Sequence, residues 1–115
     1  MEKKLNLSVI LPLKSAVVKD FDEYFDKCIK SLKVQKVPFN ELLIVHTTEE
    51  QLVEKLKNYD FESLNVKLIP FEGVGNYQSQ INLGIENVSS EWVSFFEFDD
   101  EYYKVTKIQA IFSYL

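Results

Sequence analysis

Glu97-Phe98-Asp99-Asp100-Glu101 puts four carboxylates into five residues, directly after the apolar run Trp92-Val93-Ser94-Phe95-Phe96. In an extended chain alternate residues share a side, which places Glu97 and Asp99 together and Phe98 opposite. Two carboxylates on one side suit a hard cation. Mg²⁺ takes oxygen ligands and often binds through one or two carboxylates plus substrate phosphates. A cation held there could neutralise a diphosphate leaving group. Asp99-Asp100-Glu101 would equally suit a helix start, where acids cap backbone N–H groups and offset the positive end of the dipole. The tip alone leaves both readings open.

The elements that must position this tip are legible as apolar runs. Leu7 to Leu13 and Leu42 to Val45 are nearly continuous apolar segments of strand length, the pattern of strands covered on both faces. Between them Phe21, Phe25, Ile29 and Leu32 recur at helical spacing, with Asp20 or Asp22 as a cap. Leu52, Val53 and Leu56 predict a short second helix opened by a Thr48-x-x-Gln51 capping box. Val66 to Ile69 reads as a third strand closed by Pro70, and Gly73 and Gly75 mark a loop. Tyr77, Ile81, Ile85 and Val88 predict a third helix, Trp92 to Phe96 a fourth strand, and Val105 to Leu115 a final helix. Strands alternating with helices point to an α/β domain with an open, mainly parallel sheet and flanking helices. In such a sheet, ligands bind beyond the carboxyl ends of the strands, where strand order reverses.

At 115 residues the chain supports one domain, residues 1–115. Its net charge of −5 and lack of any Arg argue against nucleic acid, which needs clustered cations to meet phosphates. Cys28 is the only cysteine, so neither an intrachain disulfide nor a cysteine metal site can form. No apolar run approaches the ~20 residues of a membrane span, and the expectation is a soluble, cytoplasmic protein. The chain ends on an apolar residue of an amphipathic segment, from which a larger unit is expected.

Taken in order, these segments resemble glycosyltransferase family 2, enzymes of the Rossmann-like GT-A fold, over their N-terminal, nucleotide-binding part. Leu7-Ser8-Val9-Ile10-Leu11-Pro12 is similar to the family's opening strand. Cys28 to Leu32 with Gln35 resembles its first helix, and Glu41 to Val45 its second strand. Gly75 with Asn82-Leu83-Gly84-Ile85 resembles its loop and asparagine-x-glycine helix, and Trp92 to Asp100 the strand bearing the aspartate-x-aspartate motif. The resemblance implies a nucleotide-diphosphate sugar as donor, with Pro12, Leu13, His46, Thr47, Asn82 and Asp99 around it. It also implies Mg²⁺ or Mn²⁺ on Glu97 and Asp99, transfer to an unknown acceptor, and a catalytic base beyond Leu115.

The sequence also departs from that pattern. His46 and Thr47 stand where two aspartates usually hold base and ribose, Ile81 where Arg is frequent, and Glu97 where the metal motif begins with Asp. Leu13-Lys14-Ser15 replaces a Tyr-Asn type pair after the proline of the first strand. Thr47 can hydrogen-bond a uracil or ribose but supplies no charge. These departures motivate an alternative: a binding or structural module that kept the fold without the chemistry, with a protein partner or a second copy on the exposed edge. A receiver-type or flavodoxin-like domain fits less well, because Leu13-Lys14-Ser15 offers neither an acid nor a Gly-rich phosphate loop. Among the remaining residues, Cys28 reads as core, Glu49-Glu50 as the solvated first turn of a helix, and Tyr102-Tyr103 as sugar-stacking or packed aromatics. Asn82 and Gly84 suit either close helix-to-sheet packing or donor contact.

Overall fold

The computed structural model describes residues 5–14, 21–33, 39–62 and 64–95. The two most apolar segments become the two central strands, β1 (Leu5–Leu13) and β2 (Phe39–Thr47). Every residue from Leu7 to Leu13 and from Glu41 to Thr47 is buried, as expected of strands covered on both faces. β3 (Val66–Phe71) pairs with β2, and β4 (Trp92–Phe95) pairs with β1. All pairings are parallel, in the order β3-β2-β1-β4. The predicted α/β class and parallel sheet are therefore observed.

Among the described residues three helices connect the strands: α1 (Phe21–Lys33), α2 (Glu50–Asn58) and α3 (Tyr77–Glu86). Alternation sends Leu7, Val9, Leu11 and Leu13 of β1 to one face, where they meet Phe21, Phe25, Cys28, Ile29 and Leu32 of α1 and Leu52 and Leu56 of α2. Cys28 is core, as the sequence predicts. Tyr59, just after α2, packs edge-on against Phe25 at 4.9 Å and donates to Asp26 Oδ1 at 2.8 Å, tying the two helices together. The opposite face carries Ile10, Leu43 and Val45 under Ile81 of α3.

Packing of α3 is close because of one missing side chain. A Cβ on Gly84 would lie 2.8 Å from Ile10 Cγ2, so the glycine serves helix-to-sheet approach. The buried stripe of α3 runs through Gln80, Ile81 and Gly84, while Ile85, expected to face the core, is exposed. Two other expectations change. β3 runs through Pro70 to Phe71, since an edge strand tolerates the missing N–H. β2 starts at Phe39 and ends at Thr47, because Asn40, Glu41, His46 and Thr47 find hydrogen-bond partners and extend it beyond its apolar centre. Asp20, Phe96 and the predicted helix at 105–115 lie outside the described residues.

Candidate functional site at the carboxyl edge

The strand order places β4 beside β1 on the side away from β2, so the direction of winding reverses at β1. The crevice expected of such a reversal lies at the carboxyl edge. That edge is formed by Pro12 and Leu13 of β1 with Lys14 just after it, His46 and Thr47 of β2, and the loop Glu72 to Asn76 leading into α3. In register, Pro12 lies beside Val45 and Leu13 beside His46. Four of the predicted binding residues are thus brought together at one edge.

Their side chains are buried. Thr47 is 1% exposed and His46 5%. His46 Nδ1 lies 2.9 Å from the carbonyl oxygen of Thr47, an acceptor only, so this nitrogen carries the proton. The Thr47 hydroxyl lies against two acceptors, the Lys14 carbonyl oxygen and the Glu49 carboxylate. Its single hydrogen serves one of them at a time. Gly75 presses on the same spot: a Cβ there would fall 2.9 Å from both Lys14 Cγ and Thr47 Cγ2. The glycine lets the loop close directly over the ends of β1 and β2.

Asn82 is not drawn into this cluster. It lies on the exposed side of α3, where its Oδ1 accepts from Gln78 Nε2 at 3.1 Å. Asn76 caps α3 by accepting from the Ser79 N–H at 3.0 Å. Glu97 and Asp99 lie outside the described residues. Among the described residues, no three His, Cys, Asp or Glu side chains come together as a metal site.

Two features of this edge escape a motif reading. Glu49 occupies the N-cap of α2 yet makes no capping hydrogen bond, and the Thr48-x-x-Gln51 box does not form. The Glu49 side chain instead turns back onto Thr47. The second is Gln80, fully buried, whose Nε2 donates to Leu13 O at 2.9 Å and to Val45 O at 2.8 Å. Its Oε1 has no partner among the described residues. A polar residue inside the buried stripe of a helix, one turn ahead of Gly84, was the available signal.

The family model of glycosyl transferase family 2 matches residues 8–115. Among solved structures, S. aureus TarS 1–349 matches with a TM-score of 0.61 at 26% identity, over 96% of this chain and 32% of that one. TarS 1–349 in complex with UDP matches with a TM-score of 0.59 at 25% identity, over 86% of this chain and 28% of that one. The complex of TarS 1–349 with UDP-GlcNAc, at 24% identity and a TM-score of 0.59 over 96% of this chain and 30% of that one, shares the fold. The chain spans about a third of the length of these structures. Among curated proteins no sequence matches. With the parallel sheet, its reversal at β1 and a family match over nearly its whole length, the chain belongs to glycosyl transferase family 2.

Proposed function

We propose that this chain binds a nucleotide-diphosphate sugar at the carboxyl edge of β1 and β2 and belongs to an enzyme that transfers the sugar to an acceptor. The observation that carries this reading is the family match, joined to a similar structure, that of TarS 1–349, with UDP bound. In this reading Pro12, Leu13, His46 and Thr47 shape the floor of the nucleotide site. Their side chains are packed, so they contribute contour and backbone groups rather than free side-chain donors. Asn82 would act from the exposed face of α3.

Glu97 and Asp99 follow β4, whose last described residue, Phe95, pairs with Ile10 of β1. Their carboxylates are the right donors for Mg²⁺ or Mn²⁺. Enzymes of this fold commonly use divalent cations. Such an ion would offset the charge that develops on the departing diphosphate.

Titration calorimetry with UDP, GDP and their sugars, with and without Mn²⁺, tests the reading. Metal-dependent binding is expected, weakened about tenfold or more by Asp99→Ala, the cost of losing a charge-assisted contact. Absence of binding by the folded protein, or binding untouched by Asp99→Ala, overturns it.

A second reading, binding without transfer, draws on the burial of His46 and Thr47 where acids are usual. It predicts nucleotide-sugar binding with neither transfer nor hydrolysis of a radiolabelled donor.

A further inference from the structure

Parallel strands end with carbonyl groups that the sheet ladder no longer satisfies, and a buried unsatisfied carbonyl is costly. At the carboxyl edge the carbonyl oxygens of Leu13, the last residue of β1, and of Val45, two residues inside the end of β2, both accept from one donor group. Gln80 spends both of its amide hydrogens on them, at 2.9 and 2.8 Å. The bond partners are themselves among, or next to, the residues at the mouth: Leu13 in β1, and Val45 directly before His46 in β2. The helix that carries Gln80 is fixed on two other sides. Gly75, just ahead of it, abuts Lys14 and Thr47, and Gly84, one turn on, abuts Ile10.

We infer that Gln80 is a positioning residue for the nucleotide site, locking the ends of β1 and β2 at a fixed spacing. This rests on the nucleotide-sugar reading above. The amide cross-links two strands and a helix at the place where the ligand sits, and it does so from a fully buried position. Its Oε1 has no partner among the described residues, so the polar contacts this side chain makes among them are the two donated by Nε2. An apolar side chain in the same space would take this donor from both carbonyls, so it is the amide that ties the two strand ends to each other and to α3.

The test compares UDP binding with stability in two variants of the full chain. Gln80→Leu fills the space without the amide and is expected to raise the Kd for UDP about tenfold in protein that is still folded, because a displaced strand end misplaces the contacts it carries. Glu41→Ala, at the far end of the same sheet, is expected to lower the melting temperature while leaving that Kd within about twofold. Should Gln80→Leu not fold, Gln80→Met, which keeps the unbranched length and removes only the amide, takes its place. Wild-type affinity in the folded Gln80 variant overturns the inference alone. Equal loss of affinity in Glu41→Ala also overturns it, since the effect would then be general destabilisation. Absence of UDP binding by the folded wild-type protein overturns the underlying reading and the inference with it.

Discussion

The two ends of the sheet are built on opposite terms. At the amino-terminal end, Glu41 is 1% exposed and fully engaged. It accepts from Ser8 Oγ at 2.6 Å and from the Ser89 N–H at 2.7 Å, and it pairs with Lys67 Nζ at 2.8 Å. Asn40 adds a contact to Ser90 Oγ at 2.8 Å, and its carbonyl accepts from Asn65 Nδ2 at 3.2 Å. One carboxylate thereby ties β1, β2, β3 and the turn into β4. At the carboxyl edge, Gln80 Oε1 has no partner among the described residues, the Thr47 hydroxyl faces two acceptors with one hydrogen, and Val74 is 92% exposed between two glycines. Polar groups that are met on every side mark the end that holds the fold; unmet hydrogen-bonding capacity and an open loop set the carboxyl edge apart from it.

The largest effect that would break this contrast is the removal of Glu41. Glu41→Ala leaves the Ser8 hydroxyl and the Ser89 N–H without their acceptor and is expected to cost about 3 kcal/mol, read by denaturant unfolding. A cost below about 1 kcal/mol would mean that this end is not the anchor. The same carboxylate predicts a pH dependence. Burial pushes its pKa up, but the bonds from Lys67, Ser8 and Ser89 outweigh this and bring it from 4.5 down to about 2. A lowered folded-state value stabilises the protein above the unfolded value, and that contribution is lost as pH falls from 4.5 towards 2. Its full size is about 3 kcal/mol, and Glu41→Gln should remove this part of the acid sensitivity.

A smaller effect is expected from Gly84→Ala. Its methyl would sit 2.8 Å from a buried, branched side chain, and overpacking of this kind costs about 1–3 kcal/mol against the roughly 1 kcal/mol that Ala gains in a helix. Thermal unfolding should show a net loss that Ile10→Val partly relieves. Smallest is Glu49→Ala. Among the described residues its exposed carboxylate holds the Thr47 hydroxyl alone, which keeps the Lys14 carbonyl as acceptor, so stability should change by less than about 1 kcal/mol. A large loss would move Glu49 into the supporting framework and blur the contrast between the two ends.

How much of this was legible in the sequence follows from what periodicity can register. β1, α1 and the core of β2 stand out because their apolar residues are continuous or helically spaced. Apolar patterning misses polar residues that are buried with partners, which is why it leaves Asn40, His46 and Thr47 outside the strand and Glu41 enters only through the family resemblance. It misplaces Ile85 for the same reason: Ile81 and Val88 of the expected stripe do meet the core, but Gln80 and Gly84 seat the helix beside Ile81 and leave Ile85 exposed. At the site, motif order located the carboxyl edge and the cluster of Pro12, Leu13, His46 and Thr47. It could not show that the Thr47 hydroxyl is already spoken for, since its partners Lys14 and Glu49 are fixed only by the folded backbone. Glu97 and Asp99 lie outside the described residues, and their role stays with the proposal.

Pro70 gives the sheet a direction of growth. A strand on the outer edge of a sheet is a template for another chain, and a proline takes one N–H donor out of that template. β3 carries Pro70 next to Phe71, and its Lys67 ammonium is turned inward to Glu41. Among the described strands, the β3 side is thus the blunt side. β4 has no proline in Trp92–Phe95, so any widening of this sheet is expected to proceed past β4.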